Sequence, residues 1–200
     1  MRGQAHTLEA VTASLLLIGG LVFALQVTAV TPLSASTSSQ HLENQHQSIA
    51  QGALATAAEQ DEIRVAVLNW NTSSLTFYEV PNRTDDRDVY YTRQAPENEF
   101  GRIIDRSMEP RRIVYNVYVR YEAENGGKRA QRLVYRGEPS DNAVSATKTL
   151  VLFDDDVLYG KDESPLTTTL GGTAEFYAPD AHPSSGVYNV VEVEVIAWRQ

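Results

Sequence analysis

Cysteine is absent from the 200 residues. Its absence excludes disulfides, Cys-ligated zinc, iron–sulfur clusters and thiol catalysis. Lysine is scarce and occurs only at Lys128, Lys148 and Lys161. With 26 acidic residues against 17 basic ones, the formal net charge is -9. That balance argues against a nucleic-acid partner, because phosphate contacts need clustered Lys and Arg. An acidic, Lys-poor surface suits a protein that stays soluble in high salt. No serine elbow, phosphate-cradling glycine loop or metalloprotease helix motif occurs. Carboxylates are numerous, yet no pair is marked out as a general acid and base. The sequence therefore points away from an enzyme and implies no cofactor.

Charge is also missing from one long stretch. Between Glu9 and Glu43 there is no Asp, Glu, Lys or Arg. Residues 10–30, AVTASLLLIGGLVFALQVTAV, are long enough to cross a bilayer as a helix, which takes about 20 mostly apolar residues. A single helix satisfies its own backbone hydrogen bonds and can sit in hydrocarbon alone. The expected arrangement is a single-pass protein of the cell membrane, with the lipid bilayer as its first partner. Arg2 precedes the span and the next basic residue is Arg64. Positive charge stays cytoplasmic, so the N-terminus is expected inside and the C-terminal domain outside. Within the span, Gly19-Gly20 removes side-chain bulk where another helix could approach.

Three readings of the N-terminus are open: a cleaved secretory signal, an uncut anchor and a pilin leader. Ser34-Ala35-Ser36 offers small residues for a secretory cut, but the apolar run exceeds the usual 7–15 residues. Arg2-Gly3-Gln4, then Glu9 and a long apolar helix, resembles an archaeal type IV prepilin (class III) signal. That resemblance implies cleavage between Gly3 and Gln4 by a prepilin-type signal peptidase. It also implies that the apolar helix stays on the mature protein and packs against other pilin-like subunits. Glu9 then becomes the sixth mature residue, one later than the pilin-type acid of bacterial pilins.

Five segments carry a second resemblance: GQAHTLEAV at 3–11, ALQVTAVTPLSAS at 24–36, GEPSDNAV at 137–144, and FYAPD with YNVVEVEV at 176–180 and 188–195. Through them the chain is similar to a family of uncharacterised haloarchaeal single-pass membrane proteins with pilin-like N-termini. The resemblance implies a topology and no activity.

The expected division is a leader at 1–3, a transmembrane helix at 4–31, a helical stalk at 32–70 and an extracellular β-rich domain at 71–200. In the stalk, Leu42, Ile49, Ala53, Ala57 and Leu68 lie near helical spacing, although the alternation of Ile63, Val65 and Val67 leaves a strand open there. A turn is expected at 69–74 and a short strand at 75–80. Phe100, Ile103, Ile104 and Met108 form one apolar stripe, which predicts a short amphipathic helix over 99–108. Residues 113–122 alternate, Asn125-Gly126-Gly127 reads as a tight turn, and 129–136 returns as the partner strand. Two more strands are expected at 144–153 and 187–198. Val191, Val193, Val195 and Ala197 share one face of the last, with Glu192 and Glu194 on the other, as in an antiparallel sheet with one wet side. The fold expected is α+β: a long N-terminal transmembrane helix packed on a C-terminal antiparallel β-sheet domain, pilin-like in plan.

Few side chains suggest chemistry. Asn71-Thr72-Ser73 and Asn82-Arg83-Thr84 match the N-glycosylation sequon. Asp154-Asp155-Asp156, with Asp162 and Glu163, is acidic enough to raise the question of a cation, but its spacing is not that of an EF-hand loop. His41 and His46 are five apart, which separates them on a helix and makes a poor metal pair. Tyr115, Tyr118, Tyr121, Tyr135 and Tyr188 read as sheet packing rather than a sugar-stacking platform.

Overall fold

The computed structural model describes residues 2–80 and 90–199, and in the first helix it leaves the side chains of 2–5, 8 and 27–39 undescribed. The described elements follow in chain order. Helix α1 spans Arg2–Glu59 and α2 spans Glu62–Leu68. Strands β1 (Trp70–Asn71) and β2 (Thr76–Phe77) come next, then α3 (Glu99–Met108). The remainder is β: β3 (Ile113–Glu122), β4 (Lys128–Val134), β5 (Val144–Phe153), β6 (Val157–Tyr159), β7 (Pro165–Thr169) and β8 (Val187–Arg199). The fold is α+β, with an apolar N-terminal helix and antiparallel sheets in the C-terminal part. Two compact units emerge, Met1–Leu42 and Glu43–Gln200.

In the first unit, Glu9–Gln26 is apolar enough to cross a membrane, and none of it is buried by the rest of the chain. Nine large apolar side chains stand exposed there, from Val11 to Leu25, with Leu17 at 76%.

The second unit is built on a four-stranded sheet of order β4-β3-β8-β5. Its central pair, β3 and β8, runs antiparallel from Ile113↔Arg199 to Arg120↔Glu192. The alternation of β8 sorts its side chains as the sequence indicates. Val191, Val193, Val195 and Ala197 are buried, and Glu192 and Glu194 keep partial exposure. Glu194 accepts from Arg120, its diagonal neighbour on the outer face, at 2.8 Å, and Lys128 reaches Glu192 at 3.3 Å. The buried face is covered by His46, Ala50, Ala53, Leu54 and Ala57 of α1 and by Phe100, Ile103, Ile104 and Met108 of α3. Those α1 positions recur at helical spacing, and small alanines allow close approach to the sheet. Leu42, one turn before His46 on the same helix face, is exposed.

The break between α1 and α2 sits at Asp61, whose φ of 59° is left-handed. Beyond it, Ile63, Ala66, Val67 and Leu68 bury one side of a helical turn, so the open strand reading of this stretch gives way to helix. α3 begins at Asn98, whose side chain accepts from Gly101 N at 2.9 Å, the usual capping bond. The expected strand over 75–80 is reduced to two residues pairing with Trp70 and Asn71. The β6–β7 hairpin, paired from Val157↔Thr169 to Tyr159↔Pro165, lies in the acidic region, where no strand is expected from the sequence.

His46 offers a test of the α1 packing. Burial, with Arg199 adding to it, holds its pKa below the ordinary 6.5. The unfolded chain therefore binds this proton more tightly than the folded one. Stability from this group is complete above the ordinary histidine range and is lost as pH falls below it. Thermal unfolding should show a melting temperature that drops between about pH 7 and about pH 5, with part of the drop removed in His46→Gln. Parallel curves for the two proteins would place His46 outside the core.

Candidate functional site

Two features of the structure bear on function: the unburied apolar helix and a cleft in the sheet unit. Around the helix, Gly3 and Gln4 stand at the start of α1, and the Gln4 side chain lies outside what the structure describes. Glu9 is exposed, with His6 Nδ1 3.7 Å from its carboxylate. Gly19 and Gly20 meet no atom within 4 Å of where a Cβ would stand, so space for a neighbouring helix is open on that side.

Of the two sequons, Asn82 lies outside the described residues. Asn71 ends β1, and its side-chain oxygen accepts from Ser73 N at 2.9 Å and Ser74 N at 3.3 Å in the turn that follows. Ser73 is exposed.

The acidic stretch is held by internal contacts. Asp156 accepts from Arg64 at 2.6 Å and from Phe153 N at 2.8 Å. Asp162 accepts from Ser164 at 2.6 Å, and Glu163 faces Arg102 at 3.5 Å. Among the described residues no group of three or more His, Asp or Glu side chains is placed to hold a metal ion. His41 is exposed while His46 is buried, so the two diverge as their spacing indicates.

The cleft, of about 640 Å³, lies between the β3–β4 hairpin and the segment 170–180. The sequence folds each wall locally. On the hairpin side, Ala123 N donates to Gly127 O at 2.7 Å and Gly126 takes a φ of 75°, which glycine adopts without strain. On the other side, hydrogen bonds from three aromatic side chains tie the segment 175–178 to the rest of the unit. Trp70 Nε1 donates to Glu175 O at 2.7 Å, Tyr188 Oη to Ala178 O at 2.9 Å, and Tyr177 Oη to Val67 O at 3.1 Å. Trp70 stands edge-on to Phe77 and to Tyr177, each at 5.1 Å between ring centres.

Asn189, fully buried, fastens the two walls together. Its amide nitrogen donates to Glu122 O and to Pro179 O, both at 2.9 Å. Its oxygen accepts from Glu122 N at 3.1 Å. The β3–β8 ladder stops at Arg120↔Glu192, so Asn189 supplies with one side chain the pair of bonds that the next backbone rung would have made. Sequence reasoning missed this residue, because an asparagine between Tyr188 and Val190 reads as an ordinary strand position.

Tyr121, half-buried, lines the cleft with its ring 5.9 Å from that of Tyr177. Burial raises its pKa while nearby Arg129 opposes the rise. Burial pushes Tyr188 up to about 12, helped by Asp180 and Asp154. Both phenols therefore stay protonated at neutral pH, as hydrogen-bonding groups rather than bases.

Compared with known families, the chain matches a family of unknown function (DUF7288) over residues 2–197. No curated protein and no solved structure matches it.

Proposed function

The chain belongs to that family, DUF7288, and we propose that it is a pilin-like, membrane-anchored cell-surface protein with a structural or assembly role and no catalysis. One observation carries the reading: the apolar window Glu9–Gln26, of which none is buried. Apolar surface left in water costs about 25 cal/mol per Å², so nine exposed large side chains call for cover by lipid or by like helices. In this reading the helix is embedded in the bilayer, the N-terminus is cytoplasmic and the sheet unit is displayed outside the cell. A prepilin-type signal peptidase cuts between Gly3 and Gln4, and the helix packs against other pilin-like subunits through its small residues. Asn71 and Asn82 would be open to glycosylation on the outer side.

The experiment is the N-terminal residue of the protein purified from membranes. A start at Gln4, with Gly3→Val accumulating uncut, supports the pilin route. A retained Met1 or Arg2 overturns it in favour of a second reading, a monomeric anchored binding protein that forms no filament. The walled cleft around Tyr121 is the observation that favours this second reading.

A further inference from the structure

We propose that the cleft between the β3–β4 hairpin and the segment 170–180 binds a neutral saccharide, stacked on Tyr121 and hydrogen-bonded by Arg129, Glu124 and Asp180. The inference is independent of the anchoring helix, and its failure would leave the membrane reading intact.

The cleft has the form of a binding site. At about 640 Å³ it falls within the 300–1,000 Å³ typical of small-molecule sites. Its walls are fixed before any ligand arrives. Trp70, Tyr177 and Tyr188 bond to backbone carbonyls of the chain on or beneath one wall, and Asn189 ties that wall to Glu122 at the foot of the other. A rigid site loses little entropy on binding.

Its chemistry narrows the ligand. Among the described residues, the side chains of Arg129 and Glu124 make no hydrogen bond or ion pair, although both residues line the cleft. Asp180 spends one carboxylate oxygen on His182 N at 2.9 Å. The site thus offers guanidinium donors, carboxylate acceptors and the phenol of Tyr121, which both donates and accepts. A sugar hydroxyl is likewise donor and acceptor, so such a set can satisfy it in both roles. The C–H face of a pyranose ring is apolar and fits against an aromatic ring, where many small dispersion contacts add up. Two carboxylates against one guanidinium leave the three charged side chains at a net -1. An anionic ligand would meet that excess unfavourably, and a wholly apolar ligand would strand the charged groups without water.

The test uses the full chain in lipid nanodiscs free of glycoside detergent. Maltose, cellobiose, lactose and diacetylchitobiose are titrated by calorimetry, with glucuronate as the acidic comparison. At least one of the four disaccharides should bind with a Kd between about 10 μM and a few mM, ahead of glucuronate. Tyr121→Ala should weaken that binding about tenfold or more. Arg129→Gln, on an exposed side chain away from the core, should weaken it several-fold with unchanged thermal unfolding. No binding by any of the four at tens of mM would overturn the proposal. So would preference for glucuronate, or binding that Arg129→Gln leaves unchanged.

Discussion

Replacing Leu17 and Leu21 together with arginine will move the chain from the membrane fraction to the soluble or degraded one. Both side chains are exposed near the middle of the apolar window. Each arginine at the centre of a spanning helix costs about 3 kcal/mol on the insertion scale, so the pair costs about 6. The nine large apolar residues of the window contribute about -0.3 to -0.6 kcal/mol each on the same scale, which totals only about 3 to 5. Two charges thus outweigh the whole apolar contribution. Leu17→Val with Leu21→Val should stay membrane-bound, because the apolar character survives. Cell fractionation with immunoblotting reads the outcome. Equal membrane recovery of the arginine variant would show that something other than this helix holds the protein there.

The second large effect belongs to Trp70. It is 3% exposed and touches Phe77, Tyr177 and Phe176. Trp70→Ala removes the centre of that cluster and should cost about 3–5 kcal/mol. It also strands Glu175 O, whose bond to the indole is 2.7 Å, for roughly 1 kcal/mol more. For a folding unit of this size, the melting temperature should fall by about 10 °C or more. Trp70→Phe keeps most of the packing and loses the bond, so its loss should be about a third as large. Thermal unfolding followed by circular dichroism measures both. A shift of only a degree or two for Trp70→Ala would mean that the segment 175–178 is held by other contacts.

The parts of this fold written most openly in the sequence are those whose burial is one-sided. α3 shows its apolar stripe because solvent faces the rest of it. β8 alternates because one face meets the helices and the other meets water. β3 and β4 are legible because a glycine-rich turn joins two alternating runs. Where structure is set by distant partners, local pattern is silent. Val157-Leu158-Tyr159 forms a strand only because residues 165–169 return beside it, and the flanking aspartates disguise it as loop. The break at Asp61 lies in a stretch whose composition continues helically. The cleft was not legible at all, since it joins a hairpin tip to a segment far along the chain. Tyr121 and Tyr188, which read from sequence as packing residues, both line it. Asn189 carries no sequence signal, because its importance is where a backbone rung is missing.

If the apolar helix holds the protein in lipid, only disruption of the bilayer will release it. Alkaline carbonate extraction of membranes from cells making the natural chain, followed by flotation on a density gradient, tests it most directly. The protein should resist extraction and float with the lipid. Release into the carbonate supernatant, or recovery of the free protein from the medium, would contradict it.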